Sequence, residues 1–402
     1  MDIQDTTAVG TRLLGFRLRR HMTQTQLATA VGVTPGHISQ LETGKRRLGN
    51  NATILALCKA LAIAPADLLG GNQPPSSSFS DAASLSVPDV RAAWLTTSLD
   101  MPTDREPARS GAELLRDTRV MMQLREQCEY AQVGAVLPNL IYDSHAMVAA
   151  GTTRFGLEML VWQAYASTLW LKNLAYGDLA YIAAQRGLQA AYLLENPVAI
   201  GLSEFALAQA LFGMGAAQVE RAQITTANAA QQIGDEAGPE GYHVRGALLL
   251  STAYAASCAG RPGDVYGPLD EARGIAAHTE DTNEQWLNFA DWNIHLWEMA
   301  FALEEQDAPA VLAAADEVVP EQMPRSRRTH YHIDKARGLA LYGGPRDKAA
   351  VRELSTAYQL APERLVNNPF AREILEVMLR RARLAAGGPD LRGLCAQMGI
   401  PT

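Results

Sequence analysis

Residues 23–44 read TQTQLATAVGVTPGHISQLETG, and the spacing within this stretch decides the fold of the N-terminal part. Thr23 can cap a helix, because its hydroxyl accepts from an orphan backbone N–H. Leu27, Ala28 and Val31 then fall on one helical face. Gly32 stands where a sharp turn needs positive φ, which costs least without a Cβ. Thr34 is the next capping residue, and Pro35 takes the first helical position, where its missing N–H is no loss. Ile38 and Leu41 point inward, which leaves His37, Ser39 and Gln40 nearer the outside. The pattern predicts two short helices joined by a tight turn.

The charge distribution singles out the same region. The chain has 402 residues and a formal net charge of −8, a length that suits two or three domains. Residues 1–71 carry eight basic against four acidic residues, whereas the remainder carries 27 against 39. A small basic head on a large acidic body confines any contact with nucleic-acid phosphate to the head. The four cysteines are scattered and form no CxxC, so neither a disulfide framework nor a zinc site is expected, and a reducing compartment is. The opening MDIQDTT is polar and acidic, unlike a signal peptide, and no long apolar run suits a membrane span. The expectation is a cytoplasmic protein with no membrane partner.

The region from Gly10 to Leu69 resembles the Cro/repressor (Xre) type of helix-turn-helix. The resemblance is carried by Gln24 … Leu27-Ala28, Val33-Thr34-x-x-x-Ile38-Ser39, Leu41-Glu42-x-Gly44, and Leu57-x-x-Ala60-Leu61-x-Ile63 … Asp67-Leu68-Leu69. It implies a five-helix domain whose second motif helix, about 35–41 and capped by Thr34, enters the major groove of double-stranded DNA. Pro35, Gly36 and Gln40 would then face base edges, with His37 and Ser39 nearby. Gln24 would reach a phosphate or support the reading residues. Gln40 can bond an adenine through N6 and N7. The Pro35-Gly36 pair departs from the usual polar readers, which shifts weight to Gln40, to contact of Pro35 with a thymine methyl, and to DNA shape. Lys45, Arg46 and Arg47 follow as a phosphate clamp, to which Arg17, Arg19 and Arg20 could add. A solvated surface charge is the alternative for each. One head makes few contacts, so a homodimer on an inverted-repeat operator is expected.

Residues 70–88, GGNQPPSSSFSDAASLSVP, are rich in Gly, Pro and Ser. They divide the chain into a head (1–70), a flexible linker (71–88) and a body (89–402). The body reads as all-α, with apolar positions at helical spacing. Turns are expected at 176–178, 213–215, 260–263, 305–307 and 343–345. Gly177, Gly215, Gly260, Asp307 and Gly344 mark them, at spacings of 38, 45, 47 and 37 residues. That is the range of helical-hairpin repeats, which bury their faces by stacking into a superhelix. A non-repetitive bundle is the alternative.

Several segments resemble the tetratricopeptide-like body of actinobacterial regulators that carry the same head. They are Leu114-Leu115 … Leu124-Arg125, Leu137-Pro138 … Leu140, 177–184, Phe289 … Asn293-Ile294, Asp334-x-Ala336-Arg337, and Ala361-Pro362-Glu363 … Asn368-Pro369. The resemblance implies a regulator and names no ligand.

Such a body offers a groove for a peptide or small molecule. A helix over 283–304 would set Trp286, Ala290, Asn293 and Trp297 on one face, and Trp162, Tyr165 and Trp170 form a second aromatic group. Trp162, Trp286, Asn293 and Trp297 are the candidate ligand residues; packing between hairpins is the alternative. His330 and His332, two residues apart on a helix, point apart and form no metal pair. No GK[ST] follows the glycine pairs, and no catalytic constellation stands out, so no enzyme and no cofactor is expected. The expected function is a sequence-specific DNA-binding regulator that senses a signal. The alternative is an interaction scaffold or adaptor with vestigial DNA binding.

Overall fold

Among the described residues every regular element is a helix. The computed structural model describes residues 9–70, 78–101, 103–234, 237–280, 283–385 and 389–401.

The head comprises α1 (Val9–Arg19), α2 (Gln24–Val31), α3 (Pro35–Glu42), α4 (Asn51–Leu61) and α5 (Pro65–Leu69). Local chemistry sets these boundaries. The Thr23 hydroxyl accepts from Gln26 N at 3.1 Å while the Gln26 side chain accepts from Thr23 N at 2.8 Å, a reciprocal cap on α2. Gly32 closes α2 at φ 77°, and Thr34 caps α3 by accepting from His37 N at 3.2 Å. Leu13, Leu27, Ile38, Leu57, Leu61 and Leu68 are wholly buried and form the core of the head.

Residues 78–88, expected as part of a flexible linker, are largely helical and pack on the helices that follow. They form α6 (Ser78–Leu85) and the start of α7 (Val87–Thr96). Ala83, Val87, Val90 and Trp94 recur on one helical face and are buried, and the Trp94 indole donates to Ser167 Oγ at 3.1 Å. Burial of that stripe outweighs the serine-rich composition. The rest of the expected linker, 71–77, lies outside the described residues.

Six helix pairs follow: α8 (Gly111–Glu126) with α9 (Tyr130–Ala149), α10 (Thr153–Asn173) with α11 (Gly177–Leu194), and α12 (Pro197–Leu211) with α13 (Ala216–Gln232). Then come α14 (Gly238–Cys258) with α15 (Tyr266–Ala276), α16 (Asp291–Glu304) with α17 (Ala308–Asp316), and α18 (Arg325–Leu341) with α19 (Asp347–Leu360). Each of the five expected turns falls inside one of these pairs. The approach is close where side chains are small: a Cβ on Gly187 of α11 would stand 2.5 Å from the Ala164 Cβ of α10. The first members pack on one another in series, α8, α10, α12, α14, α16 and α18, and α18 returns to touch α8. Short α20 (Pro362–Val366), α21 (Pro369–Ala385) and α22 (Pro389–Gln397) complete the chain, with α20 against α6.

The expected helix over 283–304 is shorter, beginning at Asp291. Asn283, Trp286 and Asn288 have φ of 48°, 55° and 53°. The Asn283 side chain accepts from Asn288 N at 2.7 Å, a local bond that competes with helix. Ala290 sits at the N-cap in extended conformation, so Trp286 and Ala290 do not share a helical face with Asn293 and Trp297. No helix among the described residues is long and apolar enough to cross a membrane.

Candidate nucleic-acid interface and its coupling to the body

The α3 surface is built from the inside out. Arg17 of α1 and Glu42 of α3 form a nearly buried pair, with Arg17 Nε donating to Glu42 Oε1 at 2.5 Å. Gln24 Nε2 donates to Glu42 Oε2 at 2.7 Å. One carboxylate thereby ties the first three helices and fixes the pitch of α3. Arg17 is structural in this arrangement, and Gln24 supports the reading helix while remaining half-buried. Arg20 donates to the carbonyls of Leu61 and Ala62, and Arg19 lies over the Phe16 ring.

What remains open is the leading edge of α3. Pro35, Gly36 and Gln40 are exposed, and His37 and Ser39 are half-buried beside them. The Thr34 hydroxyl is committed to the cap. Burial and, after it, the neighbouring Arg46 push the His37 pKa down, which favours the neutral ring. Lys45 and Arg46 are exposed just beyond the helix. Arg47 differs from both: its guanidinium turns into the protein and donates to the Ala340 carbonyl. It therefore clasps head to body here instead of completing a solvent-facing basic triplet.

Other contacts join that clasp. Glu373 of α21 accepts from Leu48 N at 2.7 Å, and Glu304 at the end of α16 accepts from Asn51 N at 2.7 Å and from Asn51 Nδ2 at 2.9 Å. Glu304 thus places a carboxylate on the free N–H groups at the start of α4, where the helix dipole favours it. Asn50 Nδ2 donates to Glu304 O at 2.6 Å, and Asn51 Nδ2 also donates to the Tyr254 hydroxyl at 3.0 Å. Leu55 of α4 is buried among Leu207, Leu211 and Phe212, and Phe370 packs against the head core. Sequence reading missed Glu304 and Glu373, since neither lies near the motif in the chain.

Of the four candidate ligand residues, the structure brings two together. Asn293 and Trp297 line a cavity at the centre of the helix series. Trp162 instead packs edge-on to Tyr165 at 6.3 Å, and the Trp286 carbonyl accepts from the Tyr165 hydroxyl at 2.9 Å. Trp170 is fully buried and donates to the Tyr130 carbonyl at 2.9 Å. His330 and His332 diverge: His330 Nε2 meets Asp334 at 3.0 Å, and His332 Nδ1 meets Glu353 at 2.6 Å.

No curated protein and no solved structure matches the chain. Residues 8–69 match the family model described as a helix-turn-helix domain, so the chain carries an N-terminal helix-turn-helix domain followed by a long array of packed helix pairs, and DNA is the partner which that domain implies.

Proposed function

We propose that this protein is a sequence-specific, DNA-binding transcriptional regulator that acts as a homodimer on an inverted repeat and takes a small-molecule or peptide signal in its helical body. The observation that carries the reading is the α3 edge: Pro35, Gly36 and Gln40 stay open, with Lys45 and Arg46 beside them, although the head is docked. Major-groove reading needs such an edge, and phosphate contact needs exposed cations next to it. The dimer follows from area. One short helix reads few base pairs, and two heads on half-sites roughly 34 Å apart multiply the affinity of each. The clasp through Arg47, Glu304 and Glu373 supports transmission, because a change in the body alters where the head is held.

The test is crosslinking and sequencing of the native chain in its own cells, repeated with Gln40→Ala/Lys45→Ala/Arg46→Ala. Sharp peaks over an inverted repeat, lost in the triple variant, are expected. Peaks that persist in a folded triple variant would overturn the assignment of α3 as the reader.

A further inference from the structure

The central cavity measures about 160 Å³. One wall is apolar, formed by Leu169, Phe205, Leu296 and Ala300 with the rings of Tyr254 and Trp297. Those two rings meet edge to face at 5.8 Å. The lining is also cationic: Arg125, Lys172, Arg327, Arg337 and Arg364 come from four different helices, and Asp334 is the one carboxylate among the described lining residues.

Carboxylates balance part of that positive charge. Asp334 is shared by His330 and Arg337, and Glu126 lies 3.9 Å from Arg125. Lys172 Nζ donates to Gln209 Oε1 at 2.9 Å, Arg327 to the Leu287 carbonyl at 2.8 Å, and Arg364 to the Ser326 carbonyl at 2.8 Å and to His330 Nδ1 at 2.7 Å. These partners are neutral, so they orient the cations without neutralising them. With His330 Nδ1 accepting and Nε2 donating to Asp334, the imidazole itself is neutral. Buried polar atoms in the same walls lack partners: Gln209 Nε2, one terminal nitrogen of Arg337, Arg125 Nε, and Oδ1 of Asn293, a residue only 2 % exposed. Like charges gathered in an enclosed site raise the energy of the free protein, and an anion relieves it. Unpartnered buried donors cost free energy until something bonds them.

We propose that this cavity is an effector site for a small organic anion with an aromatic or other compact apolar part, an aryl carboxylate or aryl phosphate in chemical class. The proposal rests on the sensing reading above and deepens it. Size sets the upper bound: about 150 Å³ of empty cavity holds one benzene ring. The anionic group meets Lys172, Arg327 and Arg364, and the ring lies against Trp297, Tyr254 and Phe205. The site is wired to the head. Tyr254 holds Asn51 of α4 by its hydroxyl, and Arg337 stacks on Phe370, which packs on the head core. An anion that draws Arg337 or Tyr254 inward changes two contacts that set the head's position.

The test is calorimetric titration of the full chain, free of DNA, with benzoate, phenyl phosphate, inorganic phosphate, the uncharged benzamide and an acidic tetrapeptide. Saturable binding of an aryl anion is expected, at least tenfold tighter than benzamide and than inorganic phosphate. Lys172→Met, whose side chain makes one bond at an open edge, should weaken it roughly tenfold without changing the thermal melt. Arg327→Gln should do the same, with folding checked by that melt. Equal affinity for benzamide, unchanged binding in both variants, or no binding of either aryl anion at millimolar concentration overturns the proposal. Exclusive binding of an acidic tetrapeptide overturns it in favour of a peptide. Inorganic phosphate binding as tightly as phenyl phosphate removes the apolar half of the assignment. Since no DNA is present, failure here leaves the DNA-binding reading standing, and loss of genomic peaks leaves this site standing.

Discussion

Two groups of cations among the described residues, one on the head surface and one lining the cavity, are built in opposite ways. Lys45 and Arg46 stand exposed at the end of α3, with water on most sides. Arg327 and Arg364 stand half-buried in a concave wall with Lys172 at its open edge, oriented by carbonyl, amide and imidazole groups. Exposed charges in high dielectric interact weakly, over a distance cut by salt, and tolerate many geometries. That suits a repeating phosphate backbone. Enclosed charges interact strongly but only with what fits, which suits one small anion. Arg47 belongs to neither group. It continues the Lys45-Arg46 run in sequence, yet its guanidinium is spent on the Ala340 carbonyl. Position in a basic run therefore does not decide a cation's work; burial does.

The largest expected effect comes from a cation that is neither free nor enclosed around a space. Arg17 and Glu42 have side chains only 9 % and 4 % exposed. Removing one partner of a buried pair costs about 3–5 kcal/mol, because the other is left charged and unmatched. Arg17→Ala should therefore open the head selectively. Hydrogen exchange on the α2 and α3 amides should quicken by two to three orders of magnitude, while the α10 and α11 amides keep their protection. Equal loss in both regions would show that head and body unfold as one unit.

Next in size is Gln40→Ala. A bidentate amide–adenine contact is worth about 1–3 kcal/mol of discrimination. The variant should bind its operator more weakly and lose preference at one base position, read by anisotropy on a set of single-base operator variants. Unchanged preference at every position would move the reading to shape or to Pro35.

The paired charges sharpen the contrast further. Lys45→Ala/Arg46→Ala should cost on the order of tenfold in affinity across all sequences and flatten the salt dependence by about two phosphate contacts, roughly 0.9 in logarithmic slope for each. Arg47→Ala should leave the slope unchanged and loosen the head from the body. A matching drop in slope for Arg47→Ala would mean that the arginine leaves Ala340 when DNA binds.

The legibility of the sequence divides along the same line. In the head, Thr23 acts on Gln26, Gly32 on Ala28 and Thr34 on His37, each within four residues along the chain, so chain order maps directly onto local structure. The five turns of the body were legible for the same reason. The cavity was not, because Lys172, Arg327 and Arg364 come from α10, α18 and α20 and meet only when α18 returns to α8. One local trace existed: Arg327, His330, Asp334 and Arg337 recur at helical spacing on α18. A polar stripe of that period reads as a solvated face unless the inner side of the helix series is known. The aromatic stripe over 286–297 misled for the complementary reason. Apolar period alone carried it, and the Asn283 side chain had already broken the helix.

The smallest effect tests the cavity through the titration of Lys172. Desolvation of its ammonium, and after it repulsion from Arg364 and Arg327, pulls the Lys172 pKa down to about 8. The lining groups that face it leave that window clear. Guanidinium groups stay charged across this range. Asp334, which burial alone would push up, is held at about 2 by His330 and Arg337. Burial pushes Tyr130 and Tyr254 well above the phenol value, and it pushes His330 down, so that ring is already neutral. Among the lining groups, the lowered pKa of Lys172 falls between pH 7 and 9. Its lowered pKa means that the proton leaves as pH rises through about 8, and anion affinity should fall in that direction, by at most about tenfold at pH 9 because a bound anion pulls the proton back. In Lys172→Met the affinity should be weaker and flat over the same range. A slope that survives the substitution would place the titrating group elsewhere in the wall, and a slope of opposite sign would mean that the cavity prefers a neutral ligand to a charged one.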